Sequence, residues 1–207
     1  MEPHPPPAGP ANKREVRRFL RERLAGLSPQ QRHAQSSSIA SLVDGLPEWG
    51  AARAVMLYLA LPDEVDTAEL FARAFAEGKT VAVPRIIDPA ARSMIPVHIH
   101  SLDEQKLQEA HFGIRVPLAE PEEVPIGEID LVLVPGLGFS RCGDRIGRGL
   151  GYYDRFLSHP DLRAVLCGLA FDVQMAATLP ADDHDRPMDL VVTAGEVIRI
   201  PRSPRSP

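Results

Sequence analysis

Apolar positions along this chain follow two periods. Between Lys13 and Leu27, Val16, Phe19, Leu20, Leu24 and Leu27 recur every three or four residues, which predicts an amphipathic helix. Ser28-Pro29 then opens a second helix running to about Gly45, with serine as N-cap and proline at the first helical position. A third helix is expected over Thr67–Glu77, stopped by Gly78, and a fourth over Tyr152–Ser158. Ala54–Ala60, Thr80–Pro84, Met94–His98, Leu131–Val134, Val165–Ala170 and Leu190–Thr193 read as strands, and Ala119–Asp130 as an acidic loop. Leu131–Val134 is apolar at every position, as expected where both faces of a sheet are covered. Strands separated by helices define an α/β fold: a single three-layer α/β/α domain with a mostly parallel sheet and an N-terminal helical segment. We expect this domain to span residues 12–200, between a proline-rich disordered leader at 1–11 and a disordered tail at 201–207.

Composition narrows the function. Of 207 residues, 44% are hydrophobic, enough for a core without staples, and the net charge of −5 argues against a general nucleic-acid binder. Cys142 and Cys167 are the only cysteines, which excludes a disulfide scaffold and metal-binding CxxC spacing. No signal-peptide pattern is visible. The longest apolar runs, Ala54–Pro62 and Leu131–Phe139, are about half the roughly 18 residues that a membrane helix needs. A cytoplasmic protein with no membrane or nucleic-acid partner is the expectation.

Ligands of parallel sheets bind beyond the C-terminal strand ends, which directs attention past Ala60 and Val134. After Val134 come Pro135-Gly136, a loop with Arg145 and Arg148, and the alternating Gly147, Gly149 and Gly151 ahead of a helix. Alternate glycines let backbone N–H groups turn toward an anion, and the helix start adds more. No dinucleotide fingerprint fits, because Arg141, Asp154 or Tyr152 stands where the last glycine is required. A Walker loop fails at Asp144, which replaces lysine. By composition alone the segment is a phosphate cradle or a glycine-rich turn. Lys13, Arg14, Arg17, Arg18, Arg21 and Arg23 against Glu15 and Glu22 give the first helix +4, either a polyphosphate site or a solvated face. Glu64 can accept from an amine-bearing ring, while Asp66-Thr67 more simply caps a helix. Asp154, with one of Asp182, Asp183, Asp185 or Asp189, could hold Mg²⁺ beside phosphates, or these residues could serve a helix dipole and a solvated turn. The histidines, His98 and His100 on a strand and His184 in the acidic turn among them, show no metal spacing and read as structural.

Six blocks in order carry a resemblance over residues 13–194: Lys13-Arg14-x-x-Arg17; Tyr58-Leu59-x-x-x-Asp63-Glu64-x-x-Thr67; Gly78-Lys79-x-x-x-x-Pro84-Arg85; Val134-Pro135-Gly136-Leu137-x-Phe139; Arg145-Ile146-Gly147-Arg148-Gly149-x-Gly151-Tyr152-Tyr153-Asp154-Arg155; and His184-Asp185-x-x-x-Asp189. The chain resembles the 5-formyltetrahydrofolate cyclo-ligase family, also called 5,10-methenyltetrahydrofolate synthetases. The resemblance implies ATP- and Mg²⁺-dependent closure of 5-formyltetrahydrofolate to 5,10-methenyltetrahydrofolate, through an N5-iminium phosphate and ring closure by N10, with release of ADP and phosphate. It implies that Lys13, Arg14, Arg17 and Arg145, Ile146, Gly147, Arg148, Gly149, Leu150, Gly151, Tyr152 and Tyr153 meet ATP. Leu59, Glu64 and Arg148 through Tyr152 would meet the folate, with Arg145, Arg148 and Tyr152 catalytic and Asp154 and Asp185 on Mg²⁺; Asp189, at a strand start, would be structural. Leu150 departs from the lysine or glycine common in the family, and Ser140 from its aspartate. Leu150 motivates the competing reading, a non-catalytic folate- or nucleotide-binding relative. A sugar-phosphate or CoA-transfer enzyme lacks a convincing base in this sequence. A monomer or weak dimer is expected.

Overall fold

The structure, a computed structural model, describes residues 12–103, 107–109, 115–117, 122–182 and 185–201. The leader at 1–11, tail residues 202–207, the start of the acidic loop at 119–121, and Asp183 and His184 lie outside the described residues.

Three helices open the fold. Helix α1 (Lys13–Ala25) starts at Asn12, whose side chain accepts from the Arg14 N–H. Helix α2 (Pro29–Asp44) carries the expected start: the Ser28 hydroxyl accepts from the Gln31 N–H at 3.2 Å, and the Gln31 side chain accepts from the Ser28 N–H at 2.9 Å. A short α3 (Pro47–Ala51) precedes the sheet and buries Trp49.

The central sheet has seven strands. β1 (Ala54–Met56) is followed by α4 (Ala68–Ala76), and then by the hairpin of β2 (Thr80–Asp88) and β3 (Ser93–His98). A separate pair, β4 (Leu107–Glu109) and β5 (Arg115–Pro117), comes next. β6 (Leu131–Val134) leads into β7 (Gly138–Ser140), β8 (Arg145–Ile146) and α5 (Tyr152–Leu157). β9 (Val165–Leu169), β10 (Met175–Ala176), β11 (Leu190–Val192) and β12 (Val197–Arg199) complete the order. The sheet runs β12-β11-β9-β6-β1-β2-β3, parallel except for its two edge strands, while β10-β7-β8 form a small second sheet.

Period-two alternation divides the core into two layers. Val55, Leu131 and Leu133 join α1, α2, α3 and α4 on one face. Met56, Val132 and Val134 join α5 on the other. Both faces are covered, as expected, but the single short α5 leaves part of its face to a cleft. Asp130 and Asp189 brace the strand starts. Asp130 accepts from the Arg53 and Ala54 N–H groups at 2.8 and 3.0 Å, and Asp189 from the Leu166 N–H at 2.9 Å.

Two strand boundaries differ from the sequence reading by more than one residue. β1 stops at Met56 rather than Ala60 because the following chain is drawn into a tied loop. There the Thr67 hydroxyl donates to the Tyr58 carbonyl at 2.6 Å, and the Tyr58 hydroxyl donates to the Val65 carbonyl at 3.0 Å. β2 continues past Pro84 to Asp88. Pro84 lies opposite Pro96, in a pair position where the ladder needs no N–H from either proline.

Candidate active site

Three segments meet at the C-terminal ends of β1, β2 and β6. They are the tied loop after β1, the β2–β3 hairpin, and the glycine loop between β8 and α5. They enclose a cavity of about 120 Å³ walled mainly by apolar surface, including Leu59, Leu61, Pro84, Ile86 and Met94.

The polar wall is anchored by two arginines. Arg148 spans the cleft, donating through Nε to Glu64 at 3.0 Å and through Nη2 to Asp63 at 2.5 Å. Partial burial opposes its charge, but the two carboxylates outweigh this and raise the guanidinium above its ordinary pKa. Glu64 is in turn fixed by the Leu61 N–H at 3.0 Å. Arg145 is almost wholly buried, donating to the Pro135 carbonyl at 3.1 Å and to Asp154. The Tyr153 hydroxyl lies buried near Glu64 and Arg145 with no hydrogen-bond partner among the described residues. Burial first, and Glu64 second, push its pKa far up, so it stays protonated as a donor.

Glycine is needed at two turns of this loop. Gly149 and Gly151 have φ of 100° and 77°, where an L side chain is strained. Helix α1 lies against the loop through a basic face on which Lys13, Arg17 and Arg21 recur every four residues. Arg17 donates to the Gly147 carbonyl at 3.0 Å and Arg21 to the Arg148 carbonyl at 3.5 Å, while Lys13 pairs with Asp182 at 2.7 Å and Asp185 at 2.6 Å. Close packing continues below, where a Cβ on Gly138 would stand 2.5 Å from Leu20.

Most residues singled out in the sequence converge here. Leu59, Glu64, Arg145, Gly147, Arg148, Gly149, Leu150, Gly151, Tyr152, Tyr153 and Asp154 all line the cavity. Leu150 is 43% exposed at its mouth. Five are placed otherwise: Lys13 and Arg17 lie behind the loop in the contacts just given. Ile146 is a core residue, Arg14 is exposed on another face of α1, and Asp185 is bound up with Lys13 rather than in the cavity lining. Asp154 and Asp185 are therefore each held by a different cation. Asp63, Ile86 and Met94 were not singled out as site residues. The first was visible only as a motif position, and the other two require knowing that β2 and β3 extend to the cleft. Ser140 accepts from the Cys142 and Asp144 N–H groups and donates to the Asp144 carboxylate at 2.8 Å, so it shapes the preceding turn. Cys167 is buried in the core, and burial pushes its thiol up.

A mostly apolar cleft edged by Arg145 and Arg148, each paired with a carboxylate, at the C-terminal edge of a doubly covered parallel sheet marks an α/β protein with a ligand site there. Residues 10–194 match the model of the 5-formyltetrahydrofolate cyclo-ligase family, and the chain belongs to that family of enzymes. It is 31% identical to the 5-formyltetrahydrofolate cyclo-ligase of Mus musculus over 87% of this chain and 92% of the mouse protein. It is 32% identical to a probable 5-formyltetrahydrofolate cyclo-ligase of Schizosaccharomyces pombe over 90% and 97% of the two chains. The solved Aquifex aeolicus 5,10-methenyltetrahydrofolate synthetase superposes with a TM-score of 0.77 at 32% identity, covering 94% of this chain and 95% of that one. Among the described residues, no helix is long and apolar enough to cross a membrane.

Proposed function

We propose that this chain converts 5-formyltetrahydrofolate to 5,10-methenyltetrahydrofolate with consumption of ATP in the presence of Mg²⁺. One observation carries the reading: α1, the Leu59–Glu64 loop and the glycine loop, far apart in sequence, interlock around one cleft through Arg17 and Arg148. The family membership and the named relatives support the same chemistry.

The reaction needs positioning and charge stabilisation rather than an enzyme nucleophile. The formyl oxygen attacks the γ-phosphorus, an O–P bond forms, the β–γ bridge breaks and ADP leaves. N10 then attacks the activated carbon, the C–O bond breaks, phosphate departs and N10 loses its proton. Leu59 and the apolar wall take the flat ring of the folate, and Glu64 accepts from its ring N–H groups. Arg17, Lys13 and the glycine-loop N–H groups face the phosphates, with Arg14 at the outer end. Arg148, already held in place by Asp63 and Glu64, meets the charge that develops on the transferred phosphoryl group with little reorganisation. The Tyr153 hydroxyl supplies a dry donor to a substrate acceptor, and Tyr152 closes the loop beside it.

The donor chemistry fits Mg²⁺, a hard cation taken by one or two carboxylates with phosphates and water. Asp154, in the cavity wall and partly exposed, and Asp185, beside Lys13, would hold it. Bound there, the ion would neutralise phosphate charge.

The test is direct: protein, 5-formyltetrahydrofolate, ATP and Mg²⁺ are mixed and methenyl absorbance is followed. Growth of the band only with ATP present is expected. Folate binding without any ATP-dependent band would refute the activity and leave a non-catalytic binder.

A further inference from the structure

A second cluster of ligating side chains lies outside the cleft. His98 ends β3, and His100 follows two positions later on the same side of the chain. Their rings lie 4.0 Å apart, centre to centre. Glu122 comes from a separate stretch that returns along this sheet edge. It is fixed there by the main chain: the Glu122 carbonyl accepts from the His98 N–H at 2.7 Å, the Val124 N–H donates to the Pro96 carbonyl at 3.0 Å, and Val97 and Glu123 form an antiparallel bridge. This register puts the Glu122 side chain on the same face as His98. Its Oε2 lies 3.6 Å from His98 Nδ1 and 3.4 Å from His100 Nε2. One ligand atom from each of the three residues falls within 4.8 Å of the others, the one such His/Cys/Asp/Glu grouping of three or more among the described residues.

The two carboxylate-to-imidazole spacings are close to those around a small tetrahedral ion, and the two histidine nitrogens lie within 4.8 Å of each other. Bonds of about 2.0–2.1 Å at tetrahedral angles place neighbouring ligand atoms about 3.3–3.4 Å apart. Two imidazoles and one carboxylate are a donor set for zinc and its first-row neighbours rather than for Mg²⁺ or Ca²⁺. We propose that His98, His100 and Glu122 form a binding site for a Zn²⁺-class dication, with water completing its shell. The histidine spacing alone did not reveal it, because the third ligand is supplied by the fold. The site is separate from the cleft. Met94 lines the cleft and His98 lies four residues further along β3, about 13 Å at strand rise. An ion there would tie β3 to the returning chain and close the excursion between them, stabilising the folded state by mass action.

The test uses the full chain and Zn²⁺ alone, titrated by calorimetry, with Co²⁺ absorption as a geometric readout. The parent should bind one equivalent that His98→Gln/His100→Gln loses, together with its visible Co²⁺ bands. Glu122→Gln should weaken that equivalent at least about tenfold. His159→Gln, a histidine outside the cluster, should keep it. Zn²⁺ should raise the melting temperature of the parent and not of the double variant. Cyclisation with saturating Mg²⁺ should be unchanged in His100→Gln, since the site is outside the cleft. Failure of the parent to bind, or retention of the same equivalent and Co²⁺ spectrum by the double variant, would overturn the proposal.

Discussion

Arg148 joins the fold to the proposed chemistry at a single residue. Its two carboxylate partners fix a fork that alanine cannot replace and lysine cannot imitate. Arg148→Ala should lower kcat by about 10²- to 10³-fold, the usual cost of losing one transition-state donor, and Arg148→Lys should not restore it. Because Glu64 keeps the Leu61 N–H, the loss of stability should stay near 1–2 kcal/mol, measurable by urea unfolding. Wild-type turnover in either variant would remove Arg148 from the mechanism. Leu150 is the opposite case. It is 43% exposed, so Leu150→Lys should shift stability by no more than about 0.5 kcal/mol. Activity should be equal or higher, because a cation is added at the mouth of the cleft proposed to take phosphates. A large loss in kcat/KM would assign the leucine a packing role against substrate. Residue type and spacing left the glycine loop with Arg145 and Arg148 open between a phosphate cradle and a turn, and only the family resemblance drew Glu64 to the same site; the structure brings them to one cavity. The pairing of Arg148 with Asp63 was not legible, because it joins two loops that only the tertiary fold brings together.

At the scale of elements, strong local signals were read correctly and short ones were missed. The stripe of α1, the Ser28–Gln31 start of α2 and the four apolar residues of β6 each state their own structure. β7, β8 and β10 are two or three residues long and carry no period, so only pairing reveals them. β12 and α3 were missed for the same reason, yet they are joined by an ion pair between Glu48 and Arg199. The hydrogen bond from Arg199 lowers the Glu48 carboxyl below its ordinary value near 4.5. A carboxylate with a depressed folded-state pKa contributes stability above its unfolded pKa and loses it as pH falls through the folded value. The parent should therefore lose an acid-sensitive increment below about pH 4.5 that Glu48→Gln lacks. Arg199 is exposed and Glu48 partly so, so the increment should be no more than about 1 kcal/mol and should shrink in salt. Urea unfolding of both proteins between pH 3 and 7 measures it. Parallel curves would show that the pair contributes nothing.

Over the whole molecule, net charge and local charge point in opposite directions. The chain carries −5, but residues 13–23 carry +4 and residues 141–155 carry +2, so the remainder holds −11. The fold places the two positive segments against each other through Arg17 and Arg21. An acidic protein thus gathers two basic segments beside the cleft, and in the proposed reaction ATP should feel the local field more than the total. Lys13 and Arg17, on one face of α1, should not contribute equally. Lys13 is raised above its ordinary pKa because Asp182 and Asp185 outweigh its partial burial, so its charge is already balanced. Arg17 donates to a carbonyl and has no carboxylate partner among the described residues, so its charge projects outward. The KM for ATP should therefore rise with ionic strength as the cleft is screened, and Arg17→Ala should both raise it and flatten the salt dependence. Lys13→Ala should flatten it less. It should instead lower stability, because Asp185, 15% exposed, loses the Lys13 ammonium that it shares with Asp182. KM for ATP measured from low to physiological salt, with melting curves for both variants, separates these roles. Equal slopes for the two variants would show that the pairing with Asp182 and Asp185 does not hold Lys13 back from ATP.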